Sequence, residues 1–202
     1  VALNPDGSLR PRPRGGYGRH PTMGGFDQMT ARLGGFWDSM LGEGRQWWIT
    51  ANSDSHINWR EGGADFWPGE YSKTYVWAHQ NHDDILAGIR HGRVFVTLGD
   101  LIAELQVTVS SSDNEAEIGG SLTIDRGQDV EVTIRFLDPD ELNAAEQNPS
   151  VTRVDLIVGR VTGPVEDRST DTNPTTRVVA RFSEADWETE GAYRVMTFRL
   201  EQ

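Results

Sequence analysis

Asp54 and His56 are the side chains whose types and spacing most directly suggest chemistry. Residues two apart in extended backbone point to the same side, so a carboxylate oxygen and an imidazole nitrogen can converge on one cation or one water. The same pair also has a plainer reading, with Asp54 capping a turn and His56 hydrogen-bonding nearby. It follows the run Trp47-Trp48-Ile49-Thr50-Ala51, which reads as a buried strand. Folds with parallel strands place their ligands at such strand ends.

The elements that must position this pair are short. Phe36, Trp37, Met40 and Leu41 lie on one stripe of a helix that Gly42 and Gly44 end. Gly62, Gly63, Pro68 and Gly69 exclude regular structure after the pair, and residues 73–78 form the next strand. Asn81 can cap a helix from about 82 to 91, with Asp83 and Asp84 complementing its positive end and Ile85, Leu86 and Ile89 as its apolar stripe. Gly92 suits the left-handed position after that helix, and residues 93–98 return as a strand. This half therefore alternates helix and strand as an α/β domain does.

From Leu105 the apolar period becomes two. Leu105, Val107 and Val109 alternate with polar residues, as do Val130, Val132, Ile134 and Phe136. Similar runs at 122–124, 151–158, 177–182 and 193–200 point to a β-sandwich. Two domains are expected, residues 1–104 and residues 105–202.

Composition narrows the function classes. The chain has 202 residues and a net charge of −12, from 19 basic and 31 acidic side chains. That balance disfavours nucleic acid as a partner, and no apolar run reaches the roughly 18 residues of a membrane span. There is no cysteine, so any metal must sit on histidines and carboxylates.

Ile49-Thr50-Ala51-Asn52-Ser53-Asp54-Ser55-His56, followed by a helix and Gly92-Arg93-Val94-Phe95-Val96-Thr97-Leu98-Gly99-Asp100, resembles the end of a polymerase and histidinol phosphatase (PHP) domain. The resemblance covers roughly residues 15–104. It implies the C-terminal portion of a distorted (β/α)7 barrel whose strand ends bind two or three divalent metals, here followed by the sandwich. It makes Asp54 and His56 metal ligands and catalytic residues of a phosphoesterase, a hydrolase in which metal-activated water attacks a phosphoester. Zinc, manganese and iron all suit nitrogen and oxygen donors.

Family members open with a His-x-His strand, and none occurs here. An N-terminal segment of the same gene product, or a second chain, is therefore expected to complete the site. His20, in Gly18-Arg19-His20-Pro21, is a further ligand candidate, because some PHP sequences carry a histidine before proline on a barrel loop; it also reads as an ordinary loop histidine. Lys73 and Arg60, as a point charge and a fork, are candidates for holding a small phosphoester, with Glu70 beside them; the usual fate of such residues is a solvated loop.

His79 and His82 flank a helix start and His91 a helix end, where a cation is favoured. Six of the seven tryptophans precede residue 80; Trp37, Trp47 and Trp48 read as packing, whereas Trp59 and Trp67 could shape a pocket. The acidic stretches 138–141 and 166–171 lack the spaced pattern of a calcium loop and read as solvated surface. A second class of function is a non-catalytic β-sandwich module that binds a glycan or a protein, with the Asp-x-His pair degenerate.

Overall fold

The computed structural model describes residue 30 and residues 32–53, 68–112, 114–167 and 169–201. The chain is mostly β. Two short helices, α1 (Phe36–Gly42) and α2 (His82–Arg90), are the helices of the described residues for which a full turn is seen. The strands are β1 (Ser72–Val76), β2 (Val94–Leu98), β3 (Glu104–Ser111), β4 (Asn114–Glu117), β5 (Val130–Leu137), β6 (Val154–Val158), β7 (Arg177–Phe182), β8 (Glu188–Glu190) and β9 (Tyr193–Leu200). They form a five-stranded sheet in the order β4-β3-β5-β9-β8 and two pairs, β1-β2 and β6-β7.

The expected (β/α)7 barrel portion is overturned by the direction of β1 and β2. They pair antiparallel, with Val76 opposite Val94 and Ser72 opposite Leu98. A helix between two strands makes a parallel unit only if it carries the chain back along the first strand. Here the excursion closes where it opened: the Trp77 amide donates to the Arg93 carbonyl at 2.9 Å, and the Arg93 amide to the Gly88 carbonyl at 2.9 Å. The unit is a hairpin with α2 in its loop. Helix-strand alternation in sequence does not encode strand direction.

The sandwich is corrected as well. A sandwich divides its strands between two facing sheets, whereas five strands here join one antiparallel main sheet. Two of those strands, β4 and β8, are short and acidic, carrying Glu115, Glu117, Glu188 and Glu190 on the sheet edges. Charged edges discourage pairing with another chain, and the same charges hide these strands from a hydrophobic-pattern search. Residues 122–124 are not a strand, and 47–51 join no ladder, with Trp47 49% exposed.

The chain divides into two compact units, neither of them continuous in sequence. One comprises residues 1–47 and 156–179, the other residues 48–155 and 180–202. In the second unit the core lies on one face of β5, where Val130, Val132, Ile134 and Phe136 are buried while Glu131 is exposed. Met196 of β9 and Phe182 join the buried set, and Trp187 meets Phe136 edge-on at 5.6 Å. Alternation of this kind is what an antiparallel sheet with one covered face requires. On β1-β2, Tyr75 stacks flat on the buried Phe95 at 4.7 Å.

In the first unit α1 forms where the apolar stripe predicts it, but its fully buried positions are Ser39 and Gly42. Phe36, Trp37, Met40 and Leu41 are half-buried. The small residues let other backbone approach closely: the Gly42 carbonyl accepts from the amides of Thr162 at 2.8 Å and Gly163 at 3.1 Å.

Candidate functional site

The Asp-x-His pair itself, with His20 and Arg60, lies outside the described residues. What the structure does describe is the segment that leads into it. Trp48 lays its indole against Gly92, where an added Cβ would stand 2.5 Å from the ring, and donates its Nε1–H to the Arg90 carbonyl at 3.0 Å. Gly92 has φ +73°, so it both ends α2 in a left-handed turn and makes room for the ring.

Three residues further on, Ala51 is clasped by Thr74 of β1. Its amide donates to Thr74 Oγ1 at 2.9 Å, and the Thr74 hydroxyl donates to its carbonyl at 3.0 Å. A single side chain thus satisfies both backbone groups of a residue that has no ladder partner. The chain is held in this way up to three residues before Asp54.

Lys73, which precedes Thr74 in β1 and so points to the other face of the strand, pairs through its ammonium with the Asp100 carboxylate. Asp100 is delivered by a tight turn at 98–101, in which Gly99 has φ +63° and Asp100 φ +59° and the Leu101 amide donates to the Leu98 carbonyl at 3.4 Å. Two successive left-handed residues are the signature of a type I′ turn, and aspartate tolerates that region better than most residues. Asn143 secures the turn from outside, its Nδ2 donating to the Gly99 carbonyl at 3.0 Å.

Lys73, Asp100, Tyr75, Glu141 and Leu142 line a hollow of about 170 Å³. The ammonium is about a quarter exposed, as is its partner carboxylate. A phosphate reaching Lys73 would have to displace Asp100 in the presence of Glu141. Glu70 is half-buried in the turn that precedes β1.

Several other titratable side chains have structural partners. Asn81 caps α2, its Oδ1 accepting from the Asp84 amide at 2.9 Å. The Asp84 carboxylate accepts in turn from the His79 amide at 2.5 Å and from Arg93 at 3.1 Å, which together hold its carboxyl below the usual aspartate value. His91 donates its Nδ1–H to the Ala87 carbonyl at 2.8 Å at the end of α2. In the acidic stretches, Asp138 accepts from the Val151 amide at 2.9 Å, and Asp167 accepts from the Ser169 hydroxyl and then its amide, which lower its carboxyl pKa.

Among the described residues no group of three or more histidines, aspartates or glutamates could hold a metal ion. Asp54, His56 and His20 are nitrogen and oxygen donors outside them. Thr74 and Asn143 were not singled out from the sequence. Neither position carries a pattern, because a threonine in a strand and an asparagine in a polar loop are unremarkable until their partners are known.

No protein-family model, curated protein or solved structure matches this chain.

Proposed function

We propose that the chain is part of a metal-dependent phosphoesterase, with Asp54 and His56 as metal ligands and His20 as a further candidate. The reading rests on the Ser53-Asp54-Ser55-His56 motif and its resemblance to the metal motif of PHP domains. One observation supports it: the reciprocal bond between Thr74 and Ala51 anchors the segment that leads into the motif. A ligand pair reached through a held segment pays less conformational entropy on binding than one in a free loop.

A bound divalent metal would supply an activated water and neutralise charge on the phosphoryl oxygens. The chain's own contribution is to present an oxygen and a nitrogen donor together and to hold the approach to them.

The test is equilibrium dialysis against zinc and against manganese, with metal counted in the protein. The expected result is saturable uptake that the double variant Asp54→Ala, His56→Ala loses at unchanged melting temperature. Equal uptake by the double variant, or none by the wild type, would overturn the reading. Hydrolysis of 4-nitrophenyl phosphate and bis(4-nitrophenyl) phosphate then separates a phosphoesterase from a metal site of other purpose.

A further inference from the structure

The first unit contains a cleft of about 410 Å³ lined by α1, the end of β6 and the segment that follows it. Its walls are apolar: Leu33, Trp37 and Leu41 on one side, Ile157 and Val161 on the other. Leu33 is 47%, Ile157 49% and Val161 71% exposed, so the cleft leaves large hydrophobic side chains in water. A volume in this range admits a small organic ligand, and apolar walls with a few placed polar groups are the usual form of such sites.

The floor is held rigidly. Asn173 is 7% exposed and donates from Nδ2 to the Asp38 carbonyl at 3.2 Å and the Arg160 carbonyl at 3.3 Å. Its Oδ1 accepts from the Thr175 amide at 3.0 Å and the Thr175 hydroxyl at 2.6 Å, and its amide donates to the Gly34 carbonyl at 2.9 Å. Two glycines keep the floor low. A Cβ at Gly42 would stand 2.6 Å from Asn173 Nδ2, and one at Gly159 2.8 Å from Thr176 Oγ1.

The charge of the cleft runs against that of the chain. Arg32 and Arg160 both line it, while Asp38, the one acid among its described lining residues, is engaged by the Gly34 amide at 2.6 Å. Among the described residues neither arginine has an ion-pair partner, although acids outnumber bases 31 to 19 in the chain. Among the described arginines outside the cleft, Arg45, Arg93, Arg153, Arg181 and Arg199 are paired with carboxylates, whereas Arg90, Arg126, Arg135, Arg177 and Arg194 are not, so what distinguishes Arg32 and Arg160 is the apolar cleft they share. A guanidinium without a carboxylate beside an open apolar wall suits a ligand that carries its own.

We infer that this cleft binds a small organic carboxylate, with its aromatic or branched aliphatic body between Trp37, Leu41 and Ile157 and its carboxylate at Arg32 and Arg160. The inference concerns the first unit alone and does not depend on the phosphoesterase reading.

The test is calorimetric titration of the full chain with 1-naphthoate and with its neutral analogue 1-naphthalenemethanol. Saturable naphthoate binding is expected, weakened about tenfold or more in the double variant Arg32→Gln, Arg160→Gln, with the alcohol's weaker binding unaffected. Both arginines are exposed, so an unchanged melting temperature is expected. A second variant, Val161→Glu, places a carboxylate at the mouth and should weaken naphthoate by a similar factor. Absence of saturable binding, equal affinity for the two probes, or equal naphthoate affinity in wild type and both variants overturns the inference.

Discussion

The hydroxyl of Thr74 accepts from the amide of Ala51 and donates to its carbonyl, at 2.9 Å and 3.0 Å, and so stands in for a neighbouring strand. Residues 47–53 join no ladder, so this side chain supplies what a backbone partner would otherwise provide. The candidate ligand pair begins at the next described boundary.

Replacing Thr74 with valine keeps the shape and removes both bonds. The Ala51 amide and carbonyl are then left without their partner, and a loss of about 1 to 2 kcal/mol is expected. Urea denaturation gives the magnitude, and hydrogen exchange locates it: the Ala51 amide should exchange faster while amides of β5 and β9 keep their protection relative to global stability. Thr74→Ser should restore most of the effect. Unchanged exchange at Ala51 in the valine variant would refute the clasp.

Glycines with similar backbone angles separate strain from crowding. Gly92 and Gly127 have φ +73° and +85°, but an added Cβ meets the Trp48 ring at Gly92 and nothing within 4 Å at Gly127. Gly127→Ala should cost about 1 kcal/mol from the left-handed backbone alone. Gly92→Ala should cost more, because Trp48 must also move. Equal melting temperatures for the two variants would show that Trp48 does not pack there.

Asn173→Ala should be among the most destabilising polar substitutions in the first unit. It removes four side-chain hydrogen bonds at a position 7% exposed, and a loss of about 2 to 3 kcal/mol is expected. Limited proteolysis should then cut first within residues 159–176. Thr175→Val, which removes the hydroxyl donor but leaves the backbone bond, should cost less.

Acid should weaken the fold through a small set of aspartates. The His79 amide and then Arg93 lower the Asp84 carboxyl below its usual value, and Arg181 does the same for Asp155. A carboxyl whose folded pKa is depressed contributes stability that is present above its unfolded pKa. That contribution is lost as pH falls through the folded value. Stability should therefore decline as pH drops below the ordinary aspartate range, and the double variant Asp84→Asn, Asp155→Asn should show a shallower decline. Parallel urea titrations at neutral and acid pH give the two slopes, and identical slopes would exclude the mechanism.

Several elements were legible because their signals are local. Asn81 followed by Asp83 and Asp84 marks the start of α2, and its side chain does accept from the Asp84 amide. Alternation at Val130, Val132, Ile134 and Phe136 is the covered face of β5, and the runs at 177–182 and 193–200 coincide with β7 and β9. Trp47 to Ala51 misled, because an aromatic and β-branched run has the composition of a buried strand whether or not a neighbour exists to pair with it. The acidic edge strands β4 and β8 were missed for the opposite reason.

Sequence by itself determined the positions of most elements, the Asp54-Ser55-His56 candidate and the restriction of any metal to nitrogen and oxygen donors. Tertiary structure alone decided that β1 and β2 run antiparallel, that Lys73 is held by Asp100, and that Asn173 ties α1 to the segment after β6. Capping and alternation act between residues a few positions apart, so they are written in the local pattern. Strand direction and side-chain partnership join residues from 18 positions apart, as for Val76 and Val94, to 135, as for Asp38 and Asn173. Such pairs form only when the chain closes a long loop, and local spacing carries no record of which loop that is.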